Sequence, residues 1–140
     1  MMLEVTDRFH PRTERLLIER VVTAVREHVA RPELEVSLLL TDDEEIAALH
    51  QKFLSDPAPT DVISFEMDNG AELVVSVETA TRVAVREGHA IDAEVALYIV
   101  HGILHTVGFD DAEDDDRRRM RDAERAIMKR LKLHVREVDA

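Results

Sequence analysis

Residues Asp92–Gly108 read DAEVALYIVHGILHTVG. Their apolar residues keep to no single stripe: Val95, Leu97, Ile99, Val100, Ile103 and Leu104 fall all round a helical wheel. A helix that is apolar on almost every side is buried on almost every side. This segment therefore predicts a central helix with other elements packed round it. Asp92 is a candidate N-cap. Gly108 is a candidate stop, because glycine takes the left-handed conformation that closes helices.

The flanking segments supply the packing partners. Leu3–Val5 is a short strand. Leu17, Val21, Val25 and Val29 recur at i, i+4, which predicts an amphipathic helix ended by Pro32. Leu34, Val36, Leu38 and Leu40 alternate as a strand does. Thr41–Glu44 (TDDE) reads as a capping box opening a helix with Ile46, Leu49 and Phe53 inward. DVISFEM and ELVVS read as strands joined by the turn DNGA. Ser76 caps a helix running to Gly88, with Val77, Ala80, Val83 and Ala84 on its buried side. The last helix covers roughly Glu113 to Leu131, with Met120, Ala123, Ile127 and Leu131 as its apolar stripe. The prediction is an α+β fold: a small mixed β-sheet of about four strands packed with five or so helices.

The chain has 140 residues, 45% hydrophobic and 34% charged, with a formal net charge of -12. That length suits one domain, residues 1–140. The acidity argues against broad nonspecific nucleic-acid binding, but a local basic groove is compatible with it. Cysteine is absent, so any metal must be held by His, Asp or Glu. The sequence carries no apolar leader and no run near the length of a membrane span, which predicts a cytoplasmic protein.

His101 and His105 lie one turn apart on the central helix and can aim at one point. Zincin metalloproteases use this His-x-x-x-His geometry, and their metzincin form adds a glycine and a third histidine further on. Here Gly108 and Asp111 stand at those two places. Aspartate is a legitimate zinc ligand, with oxygen about 2.0–2.2 Å from the metal. Two readings stay open on these residues alone. One is an open metal site of His101, His105 and Asp111. The other is a pair of partly buried histidines beside an acidic turn. The glutamate that follows the first histidine in zincin proteases is Gly102 here, so a protease's general base is missing.

HGILHTVGFDD (His101–Asp111) resembles the signature of the YbeY family of bacterial endoribonucleases, His-Gly-x-Leu-His-x-x-Gly-Tyr/Phe-Asp-His, and departs from it only at the last position. PTDVISF (Pro59–Phe65) and AELVVSVETA (Ala71–Ala80) resemble two further family segments, and the likeness covers residues 34 to 132. The resemblance implies a zincin-like fold. It implies a metal-dependent single-strand endoribonuclease acting in 16S rRNA 3′-end maturation and ribosome quality control. It also implies one Zn²⁺ per chain on His101, His105 and, by position, Asp111. The expected partners are single-stranded RNA, 16S rRNA and the ribosome or small-subunit proteins, with no membrane. A zincin-type metalloprotease and a non-enzymatic ribosome-assembly factor with a structural metal are the alternatives.

Bound zinc lowers the pKa of its water towards about 7 and polarises phosphoryl oxygens. An aspartate in third place makes the site one charge less positive than three histidines would. That predicts a less acidic water, weaker phosphate attraction and tolerance of another divalent metal such as Mn²⁺. Where many family members carry an arginine before the Pro-Thr-Asp strand, this chain has Leu54, so Lys52 is a candidate substitute. The family's usual Asn and Gly appear here as His50 and Ala71. Asp110 is a candidate acceptor for the free ring N–H of a ligand histidine and a candidate catalytic group, or a plain turn aspartate. Asp61 is a candidate catalytic group, or a cap, and with Thr60 and Ser64 it is expected near the site by resemblance. Arg82 and Arg86 share a helix face and are candidate RNA contacts, or a solvated face. Arg117–Arg121 (RRRMR) is read as balancing the acids before it.

Overall fold

A computed structural model describes residues 2–55, 60–110 and 112–136. The elements run β1 (Leu3–Asp7), α1 (Arg15–His28), β2 (Glu35–Thr41), α2 (Asp43–Leu54), β3 (Val62–Met67), β4 (Gly70–Ser76), α3 (Val77–Glu87), α4 (Ile91–Thr106) and α5 (Asp114–Leu131). The four strands form one mixed sheet in the order β1-β2-β4-β3. β1 and β4 run parallel to β2, and β3 returns antiparallel to β4 through a tight hairpin that pairs Met67 with Gly70. The α+β expectation holds in class, strand number and helix number.

Strand alternation sorts the two faces of the sheet. Val36, Leu38, Leu40, Leu73 and Val75 point into the main core with α1, α4 and α5. Leu39 and Val74 point the other way, into a small cluster with Ile46 of α2 and Ile63 of β3. Helix α4 lies at the centre of the main core, as its all-round apolarity requires. Its Ile103 and Leu104 are fully buried, each worth about 1.5–3 kcal/mol relative to an exposed side chain. Among the described residues no helix is long and apolar enough to cross a membrane.

Three local expectations are corrected. The cap of α2 is Asp42, whose side chain accepts from the Glu45 backbone N–H, not Thr41. Thr41 is still committed to the sheet, paired with Ser76, so the helix can start only after it. Its hydroxyl donates to Glu45 Oε1 at 2.5 Å. Phe53 is 54% exposed. It meets the Phe65 ring edge-on at 5.6 Å, because α2 covers only the small cluster. Asp92 does not cap α4: the helix begins at Ile91 with Ala90 as its N-cap. Asp92 lies in the first turn, where negative charge still suits the unpaired N–H groups.

The caps at Ser76 and Gly108 stand as expected. Ser76 accepts from the Thr79 N–H. Gly108 has φ +109°, which ends α4 and turns the chain back. Asp111 lies outside the described residues.

Candidate metal and phosphate site

Three helices present the same side-chain spacing to one cleft of about 640 Å³. From α3 come Thr79, Arg82, Val83 and Arg86; from α4 come Glu94, Leu97, Tyr98 and His101; from α5 come Arg117, Met120, Arg121 and Glu124. Each set is i, i+3, i+4, i+7, one face of a helix over two turns. Thr60 and Asp61, leading into β3, complete the lining.

His101 is fixed by a carboxylate that the sequence reading did not single out. Glu124 Oε2 lies 2.6 Å from His101 Nδ1, and the Glu124 side chain is only 6% exposed. A neutral His101 then carries its hydrogen on Nδ1, donated to Glu124, and presents the Nε2 lone pair. Metal-bound histidines are held in this way, with the second ring nitrogen donating to a carboxylate that orients the ring and raises its basicity. Arg121 Nη1 lies 3.8 Å from the other oxygen of Glu124. The available signal was a charged residue on the apolar stripe of α5, between Met120 and Ile127, both buried.

His105 is exposed one turn further along α4. Among the described residues no three His, Asp or Glu side chains converge as a metal cluster. The donor chemistry nonetheless fits a divalent ion in part. Two imidazoles stand at i, i+4, and Nδ1 of one of them, His101, lies 2.6 Å from a carboxylate oxygen. Gly108 turns the chain immediately before the segment that contains Asp111. The described contact of Asp110 is local, its Oδ1 accepting from the Ala112 N–H at 3.2 Å.

Gly102 shows why the residue after His101 is small. A Cβ built there would come 2.8 Å from Leu73 Cδ2, 3.1 Å from Ser64 Oγ and 3.2 Å from Val62 Cγ2. Helix α4 rests directly on β3 and β4 at this point, and any Cβ would press these side chains aside. Ser64 is thus beside the helix, on the sheet.

Arg82 is anchored at the cleft edge. Its Nη1 lies 2.5 Å from Asp43 Oδ2, while Ser76 and Thr79 donate hydroxyl hydrogens to Asp43 Oδ1, both at 2.6 Å. Burial works to raise the Asp43 carboxyl. The two hydroxyls and the Arg82 guanidinium outweigh it and hold the group below its ordinary value. The same contact raises Arg82 above the ordinary arginine value. Asp61 accepts from the Val62 N–H at 2.7 Å, a turn contact. Lys52 does not line the cleft; its ammonium sits 5.2 Å from the centre of the Phe53 ring. Glu94 is buried and bonded to buried His89, 2.6 Å from its Nε2.

The family model described as Endoribonuclease YbeY matches residues 4–132. The chain belongs to the YbeY family. A Heliobacterium modesticaldum relative named Endoribonuclease YbeY is 34% identical over 134 residues, covering 81% of each chain. A Thermobifida fusca relative of the same name is 39% identical over 118 residues, 74% of each. A Thermotoga maritima protein solved in solution superimposes with a TM-score of 0.66 at 22% identity, over 94% of this chain and 92% of that one. That last likeness concerns the fold. The YbeY match spans α4, its histidine pair and α5 with Glu124.

Proposed function

We propose that this chain is a metal-dependent, single-strand-specific endoribonuclease acting in 16S rRNA 3′-end maturation and ribosome quality control. The observation that carries the reading is the His101–Glu124 pair at an arginine-lined cleft within the region matched to the YbeY family. The curated relatives bear the name endoribonuclease, which supports the reaction class. The rRNA substrate and a ribosomal or small-subunit partner rest on the family resemblance.

His101, His105 and Asp111 are the proposed ligands of one divalent ion, with Zn²⁺ the first choice. Such an ion supplies Lewis acidity and an activated water. The chain's own groups have separate tasks. Glu124 keeps His101 in one tautomer and one orientation. Arg82 and Arg86 attract and orient the phosphodiester backbone. Lys52 is set aside as an RNA contact because it lies away from the cleft. Asp61 lines the cleft and Asp110 follows the histidine pair in sequence; these two are the first carboxylates to test as proton carriers.

The protease alternative is disfavoured at Gly102, which offers no carboxylate and where a Cβ would come 2.8 Å from Leu73 Cδ2. The deciding experiment offers purified protein a single-stranded RNA and casein, with and without added Zn²⁺. The proposal expects RNA cleavage that depends on metal and no casein cleavage. Casein cleavage, or loss of function in cells on His101→Ala with no RNA cleavage under any metal, would overturn it.

A further inference from the structure

The arginines of RRRMR do not act as one charge run. Arg117 and Arg121 line the cleft, while Arg118 and Arg119 do not. Helical phase explains the split: Arg117 and Arg121 are one turn apart on the face that also carries Met120 and Glu124. Arg118 and Arg119 are turned aside, pairing with Asp115 and Asp116. Arg82 and Arg86 have the same one-turn spacing on α3. The cleft is therefore walled by two arginine pairs, with His101 of α4 between the walls. Among the lining side chains four arginines face three carboxylates (Asp61, Glu94 and Glu124), in a chain whose formal net charge is -12.

We propose that Arg117 and Arg121 form the second wall of a phosphate clamp, opposite Arg82 and Arg86, that grips the backbone of single-stranded RNA on both sides of His101. This rests on the endoribonuclease reading and names the residues that hold its substrate. Guanidinium groups suit the task because their planar fork matches two phosphate oxygens at once. Grooves that hold single strands without sequence preference use such positive walls to track the backbone. Arg121 Nη1 lies 3.8 Å from Glu124 Oε1, beyond hydrogen-bond distance, and its side chain is 45% exposed. Arg117 bonds the Asp114 carboxylate and the Ala112 carbonyl, and the Arg117 and Asp114 side chains are 55% and 85% exposed. Exposed pairs of this kind contribute little, so a phosphate can replace the carboxylate at small cost. The clamp also supplies the anion contact that Leu54 cannot make. At about 640 Å³ the cleft is within the size of small-ligand sites, about 300–1,000 Å³, so it admits a few nucleotide units of an extended strand.

The test compares the double variants Arg117→Gln/Arg121→Gln and Arg118→Gln/Arg119→Gln in the full chain. Binding of a fluorescent, unstructured RNA oligonucleotide is measured in chelator across a salt series, so that no cleavage intervenes. Each phosphate contact on a single strand contributes about 0.7 to the slope of log affinity against log salt. The Arg117/Arg121 variant is expected to bind about tenfold more weakly near physiological salt, with a slope shallower by about 1.4. The Arg118/Arg119 variant should keep its slope within half of that change. Equal losses in the two variants, or none in either, overturn the clamp. Cleavage of the same oligonucleotide after metal is restored reads the enzymatic assignment separately. A wild type that cleaves while the Arg117/Arg121 variant binds and cuts normally would sink the clamp and leave the endoribonuclease standing.

Discussion

Replacing Glu124 by glutamine keeps the side chain's shape and removes its charge. In the native protein Glu124 Oε2 is 2.6 Å from His101 Nδ1 and shielded from solvent, a setting in which a charge-assisted bond outweighs a neutral one. Removing the outer partner of a metal-bound histidine lowers metal affinity about 10–100-fold, or roughly 1.4–2.7 kcal/mol. Glutamine can still accept from Nδ1–H through its amide oxygen, so Glu124→Gln should fall at the low end and Glu124→Leu at the high end. Zn²⁺ affinity is read by competition with a chromophoric chelator, and thermal melts confirm that each variant is folded. The tautomer is read directly in the metal-free wild type by ¹⁵N NMR of the His101 ring, where hydrogen on Nδ1 is expected. Hydrogen on Nε2, together with an unchanged Zn²⁺ affinity in both variants, would refute the assignment of Glu124 as the group that orients His101.

Gly102→Ala gains about 1 kcal/mol of helix propensity but forces a methyl against Leu73, fully buried in the core, at an overpacking cost of about 1–3 kcal/mol. A net loss near 1 kcal/mol is expected in urea unfolding, and a variant more stable than wild type would count against the close packing of α4 on the sheet. Asp43 has a folded-state pKa held below its unfolded value. Its contribution is therefore present above about pH 4 and lost as pH falls through the folded value. Asp43→Asn should cost roughly 2 kcal/mol at pH 7, with the difference from wild type shrinking below about pH 4; a difference that is flat from pH 7 to pH 3 would contradict the network. Asp111→Ala should leave the purified protein with substantially less bound metal than wild type, measured by elemental analysis, and equal occupancy would remove Asp111 from the ligands.

The architecture was legible where one pattern had one explanation. The all-round apolarity of Val95–Leu104 placed α4 in the centre, and the alternation of Val36, Leu38 and Leu40 placed one face of β2 in the main core. The order β1-β2-β4-β3 was not legible, because apolar alternation says which face is buried and not which strand lies alongside. Phe53 misled because its i, i+3, i+7 phase with Ile46 and Leu49 is correct, while the face it follows is covered only by a small cluster. The capping box fell one residue early because Thr41 is held by the ladder to β4, a long-range constraint that no local motif records.

At the site, the histidine pair and its glycine turn could be read from spacing alone. Glu124 could not, since its role depends on α5 crossing α4 beside His101. The same crossing separates Arg117 and Arg121 from their neighbours in a run that otherwise looks uniform. The four arginines that line the cleft lie on α3 and α5, far in sequence from Leu54, where the family resemblance had led to the expectation of an arginine.

We propose that RNA cleavage by this chain depends on a metal held by His101 and His105. The most direct test is single-turnover cleavage of an unstructured RNA by metal-stripped protein, with Zn²⁺ or Mn²⁺ added back, in wild type and in His101→Ala/His105→Ala. Stripping is expected to abolish cleavage, added metal to restore it in wild type, and the double variant to stay inactive at any metal concentration. Cleavage by the double variant at the wild-type rate would contradict it.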